Sequence, residues 1–261
     1  MAVTLPKDRI PYSAIVDRPP LKLPDDGRVA VWTIVNVEEW AIERNMPRTV
    51  LPPPYGQPLQ PDLPNWAWHE YGMRVGYWRF HEVLAKHKLK ATLALNGSVI
   101  KSYPRVVEAA KEAGWEFMGH GWIQRPMHHV EDQKKAIKDT VAAIKAFTGK
   151  PPRGWESPGL TETYETIDWL AEAGIEYVAD WVLDDQPCRI DTASGPIVSV
   201  PYTVEINDVV LSAVQQYKAN DVGLCSGARQ HRLHVVLRKQ PAKTGYHQVH
   251  PGVPAHNRAL P

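Results

Sequence analysis

From Val222 to Pro261 the chain contains no Asp or Glu, while Arg229, His231, Arg232, His234, Arg238 and Lys239 recur. Such a basic, weakly periodic stretch lacks the pattern of a packed closing strand and helix. Cysteine is scarce: Cys188 and Cys225 alone cannot build a disulfide framework, which fits a reducing cytosol. No apolar run approaches membrane-spanning length, and Met1–Arg18 mixes prolines and charges without a continuous apolar segment. The expectation is a cytoplasmic protein without a signal peptide or membrane contact. A formal net charge of +1 excludes bulk electrostatic attraction to nucleic acid. The ten tryptophans suit aromatic-walled pockets as well as core filling.

The 261 residues suffice for one sizeable core. An irregular arm, 1–28, ends at the turn Pro24-Asp25-Asp26-Gly27. Val29–Val37 reads as a buried strand, and prolines from Pro52 to Pro64 mark a long loop over Arg48–Asn65. The pattern then predicts a helix over Val75–His87, a strand over Ala91–Leu95, and a helix capped by Ser102 and running to Ala113. Next come a strand over Trp115–Gly119, an amphipathic helix over Glu131–Phe147, and a short strand Gly154-Trp155. A helix Glu162–Ala173 and strands Glu176–Asp180 and Ile197–Val200 follow. Repeated strand–helix alternation argues for a parallel sheet or barrel, with chemistry at the C-terminal strand ends. Glu38, Glu39, His120, Ser157 and Asp180 all fall there.

Two adjacent carboxylates, Glu38 and Glu39, and the imidazole of His120 are parts for general acid/base hydrolysis. Crowded carboxylates should titrate apart, leaving one as acid and one as base. Carboxylate plus His-x3-His would be a zinc pattern, but Gln124 stands where the second histidine would be. His128-His129 reads more simply as an exposed loop.

The ordered set Glu38-Glu39, His120-Gly121-Trp122-Ile123-Gln124 and Arg153-Gly154-Trp155-Glu156-Ser157-Pro158 resembles the polysaccharide deacetylase (NodB-homology) superfamily. Glu70-Tyr71-Gly72-x-Arg74-x-Gly76, Asp184-Asp185-Gln186-Pro187 and Pro201-Tyr202-Thr203-Val204-Glu205-Ile206-Asn207-Asp208 resemble its allantoinase-like branch, which includes cofactor-independent cyclic imide hydrolases. The resemblance spans about residues 10–220. It implies a distorted (β/α) barrel, incompletely closed if the tail contributes no strand, and hydrolysis of an amide C–N bond. The implied domains are the arm, a catalytic barrel over 29–221 and an atypical, poorly packed or frame-shifted tail over 222–261. In the deacetylases the first acid of the pair is the base and the second binds metal with two histidines. Carried over, Glu38 is the base, Glu39 its helper or ligand, and His120 the group that orients substrate or moves a proton.

Gln124, Trp155, Ser157, Asp184 and Asp185 are the expected substrate-binding residues, with Trp155 and the Asp184-Asp185 loop walling and reading the ring. No cofactor is expected; a zinc ion, if bound, would sit on Glu39 and His120. Relatives close with a Leu-His-Pro-like segment. The nearest text here, His247-Gln248-Val249-His250-Pro251-Gly252-Val253-Pro254, lacks the preceding apolar strand, which puts a catalytic His250 in question. The leading reading is metal-independent ring opening of a small cyclic amide, imide or ureide. A metal-dependent N-deacetylase of an amino-sugar polymer and a non-catalytic barrel are the alternatives. A homo-oligomer is expected, because the basic tail would need a partner surface to order.

Overall fold

The computed structural model describes residues 4–27, 29–46, 49–217 and 233–238. Its centre is an eight-stranded sheet in the order β6-β7-β5-β4-β3-β2-β1-β8. The strands are β1 Val29–Val37, β2 Thr92–Leu95, β3 Glu116–Gly119, β4 Gly154–Trp155, β5 Tyr177–Val178, β6 Cys188–Ile190, β7 Ile197–Ser199 and β8 Leu233–Arg238. Six run parallel; β6 lies antiparallel on β7 at one end, and β8 antiparallel on β1 at the other. The sheet stays open between β6 and β8 among the described residues, so the barrel is not closed. Residues 233–238 of the basic tail are a paired strand, where the sequence pattern offered none; His250 lies outside the described residues.

Central parallel strands are covered on both faces, so they read as apolar runs rather than alternations. Ile34, Val35 and Val37 of β1 and all four residues of β2 are buried accordingly. The helices are α1 Pro6–Arg9, α2 Leu63–Tyr71, α3 Tyr77–Lys86, α4 Val99–Ser102, α5 Pro104–Glu112, α6 Gln133–Thr148 and α7 Thr166–Glu172. Helix α6 follows its amphipathic signal: Asp132 caps it through the Lys135 N–H, Ile137 and Ile144 are buried, and Gly149 closes it with φ of 86°. Helix α2 is an addition to the expected loop. Asp62 caps it and Pro64 sits in its first turn, where a missing N–H costs nothing. A π-helical turn, Gly72–Gly76, joins α2 to α3.

The register aligns Val37, Leu95, Gly119 and Trp155 in one row across the parallel strands. The ladder then continues one residue further: the N–H of Asn96 bonds to Val37, that of His120 to Leu95, and that of Glu156 to Gly119. Asn96, His120 and Glu156 are therefore fixed side by side with Glu38 along one rim. The N-terminal arm is tied down by ions. Arg9, 4 % exposed, makes a two-pronged pair with Asp168 of α7 at 2.7 and 2.8 Å.

The close approach of β3 to β4 has a single tight point. A Cβ at Gly119 would lie 2.4 Å from the Trp155 ring, which is itself fully buried. Gly119→Ala should therefore destabilise the fold by about 1–3 kcal/mol, the usual range for an overpacked core. Urea denaturation measures it, and an unchanged midpoint would show that the Trp155 ring moves freely.

Candidate active site

The site is a cavity of about 350 Å³ at this rim, with Asn36, Glu38, Trp40, His69, His120 and Glu156 among its lining. Glu38 also borders a neighbouring cavity of about 340 Å³ under Tyr71, Gly72 and Phe80. His120 is almost wholly buried. Its Nδ1 donates to the Glu156 carbonyl at 2.6 Å, and its Nε2 lies 3.5 Å from Glu38 Oε1. The Trp40 indole N–H donates to the other Glu38 oxygen at 2.9 Å, and Trp40 stacks on His69 at an interplanar angle of 32°. Asn36 Nδ2 donates to the Glu156 carboxylate at 2.8 Å. Beneath them the Asn96 side chain bridges strand ends: its Oδ1 accepts from the Glu39 N–H at 2.8 Å and its Nδ2 bonds the His120 carbonyl.

Burial is the largest influence on the His120 imidazole and lowers its pKa, because it penalises the charged form. Contact with Glu38, the charges of Glu156 and Glu38, and the Glu156 carbonyl together outweigh it. The net result is a pKa raised above the ordinary 6.5. A buried imidazolium facing a carboxylate across a cavity can give up a proton there while the carboxylate receives one.

Several sequence expectations change at this point. Glu38 and Glu39 are not a crowded pair: Glu39 turns away, and the Ser102 hydroxyl lies 2.8 Å from both of its oxygens. Ser102 thus ends α4 and holds Glu39 instead of capping α5, which starts without a side-chain cap. Trp155 does not wall the cavity. It lies in the core beneath, its N–H donating to the buried Ser157 hydroxyl at 3.0 Å. Ser157 spends its own N–H on Asp180 at 2.6 Å, so it too is internal. Asp180 is buried against Glu162; burial first, then that second acid, raises its pKa well above the usual value.

Asp184 pairs with Arg18 of the arm at 2.7 Å, and that bond holds its carboxyl below the usual range. Asp185 is exposed, and neither acid lines the two cavities beside Glu38. Gln124 does line the cavity, and its Oε1 is buried without a hydrogen-bond partner among the described residues. Asn36, Trp40, His69, Asn96, Ser102 and Glu156 were not expected as site residues. Only Glu156 carried a signal, as the neighbour of Trp155 in a motif already singled out.

The metal pattern of the deacetylases does not fit these side chains. Glu39 is held by Ser102, the His120 nitrogens face the Glu156 carbonyl and Glu38, and position 124 offers an amide. Among the described residues no three His, Cys, Asp or Glu side chains converge as a metal site would require. No helix among them is long and apolar enough to cross a membrane.

Residues 65–178 match the model of the polysaccharide deacetylase family. A Schizosaccharomyces pombe (strain 972) protein bearing a provisional polysaccharide deacetylase name is 28% identical over 213 residues. That match covers 71% of this chain and 66% of the relative, slightly under two thirds of its length. The crystal structure of Puue allantoinase superposes with a TM-score of 0.70 at 25% identity, covering 84% of this chain and 76% of that one. A probable polysaccharide deacetylase from Pseudomonas aeruginosa PAO1 gives a TM-score of 0.64 at 24% identity, over 74% and 69% of the two chains, and shares the fold. The family model thus matches the central part of the chain, and the solved structures share its fold.

The raised His120 pKa predicts a specific pH dependence of stability. The group binds its proton more tightly folded than unfolded, so its contribution is fully present below about pH 6.5 and fades as pH rises through the higher folded value. The stability advantage of wild type over His120→Asn should therefore shrink at alkaline pH. Urea denaturation of both proteins across this range measures it, and a constant difference would contradict a charged His120.

Proposed function

We propose that this polysaccharide deacetylase-like domain is a hydrolase of amide C–N bonds, with Glu38 as general base and His120 as general acid. The observation that carries the reading is the Glu38–His120 pair, 3.5 Å apart across one cavity. Glu38 takes a proton from water as its oxygen attacks the substrate carbonyl. The tetrahedral intermediate then expels nitrogen, which leaves with the His120 proton. The Glu156 carbonyl fixes the imidazole's orientation, and the Trp40 N–H fixes the carboxylate's. In this reading the amide N–H of Gln124, a residue of the cavity wall, donates to the developing oxyanion.

The finer reading is ring opening of a small cyclic amide, imide or ureide. Cavity size supports it, since about 350 Å³ suits a small ring. The likeness to an allantoinase supports it too, as does the position of Tyr202, Val204 and Asn207, from the 201–208 motif, in the cavity lining. The second reading, N-deacetylation of an amino-sugar polymer, is favoured by the family match and by the names of the fission-yeast and Pseudomonas proteins.

Glu38→Gln should lower turnover by about 10²–10⁴, the usual cost of a lost general base, while circular dichroism stays that of wild type. Activity within a few-fold of wild type would remove Glu38 from the role.

Elemental analysis separates the two readings. Turnover of hydantoins or imides should survive exhaustive chelation. A stoichiometric transition metal whose removal abolishes activity would favour the deacetylase.

A further inference from the structure

A third cavity, of about 700 Å³, lies beyond Gln124 and is lined by Ala41, Glu43, Arg44, Asn45, Met46, Gln60, Ile123, Gln124, Arg125, Pro126 and His129. Gln124 and Pro126 also line the catalytic cavity, so the two spaces are neighbours with a shared wall. Its charges are unbalanced. Arg44 and Arg125 form no ion pair with any described residue, and Glu43 is the one acid in the lining. Elsewhere the guanidinium groups of Arg9, Arg18, Arg74, Arg105, Arg153 and Arg189 meet carboxylates, and the exposed Arg79 lies over the Tyr71 ring. Gln124 Oε1, at the boundary, is buried and unpartnered among the described residues.

We infer that this cavity is a subsite for a carboxylate carried on the substrate, so that the ring opened at Glu38 belongs to an anionic cyclic amide or imide. The inference rests on the ring-opening reading above. The carboxylate in question is a substituent and not the one freed by hydrolysis. The nascent carboxylate forms beside Glu38 and His120, and neither residue borders the basic cavity. Two guanidinium groups suit such a substituent because each offers planar, paired N–H donors matching carboxylate geometry. With the substituent beyond Gln124 and the ring on the near side, the Gln124 amide meets the ring's own amide edge.

The test compares hydantoin with hydantoin-5-acetic acid, which differ by one carboxylate-bearing arm. Binding is measured by calorimetry on the full chain carrying Glu38→Gln, so that turnover does not intervene. The acid should bind about 10- to 100-fold tighter than hydantoin, the range expected for charge-assisted hydrogen bonds, and less so at high salt. Adding Arg44→Gln or Arg125→Gln should erase that preference and leave hydantoin affinity unchanged. Equal binding of the two probes, or a preference that survives both substitutions, overturns the subsite. Wild-type turnover of hydantoin and of hydantoin-5-acetic acid is scored separately. A protein that prefers the acid but opens neither ring keeps the subsite and loses the ring-opening reading.

Discussion

A histidine buried to 1 % exposure and yet pushed towards the charged form is the constraint on which the site depends. Removing an ion from water costs several kcal/mol even after relaxation. A unit-charge pair at 3.5 Å returns roughly 5 kcal/mol at an effective dielectric of about 20, so Glu38 and the burial penalty are of similar size. The Glu156 carboxylate and carbonyl then decide the balance in favour of the imidazolium. Each neighbour is in turn held: Glu38 by Trp40, Glu156 by Asn36, and the His120 backbone by Asn96. The outcome is an imidazole and a carboxylate held 3.5 Å apart, both bordering one cavity.

This cluster follows from strand register. Val37, Leu95, Gly119 and Trp155 share a row, so the four residues after them share the rim. A one-residue slip in a strand would turn its side chains to the opposite face and dismantle the cluster. Register is in turn pinned by close packing, where Gly119 admits the Trp155 ring and Gly154 the Tyr177 ring. The short strands β4 and β5 contribute little length, but Trp155 and Val178 are both fully buried. Sheet and chemistry therefore share the same residues at this edge.

Much of the architecture was legible in the sequence because parallel strands and amphipathic helices have strong periods. Val29–Val37 was placed residue for residue, and the helix at Gln133–Thr148 to within two positions at each end. Helix α2 was hidden by the proline-rich approach to it, although Asp62 and Pro64 are ordinary start signals. Strand β8 is hard to see because the acid-free composition around Leu233–Arg238 masks its short apolar run. At the cavity, motif order points to Glu38 and His120, which do line it, and to Trp155, Ser157, Asp184 and Asp185, which do not. Motif order gives adjacency along a strand end but not the face to which each side chain turns. Asn36, Asn96 and Ser102 were invisible for a related reason: their partners lie 57–120 residues away in sequence.

The charge state of His120 is the central claim, and side-chain nitrogen NMR on labelled protein reads it most directly. In wild type the ring should titrate with a midpoint above the ordinary 6.5. Glu38→Gln removes a carboxylate 3.5 Å away and should lower that midpoint. A midpoint at or below 6.5 in wild type, or one indifferent to Glu38→Gln, would contradict the account.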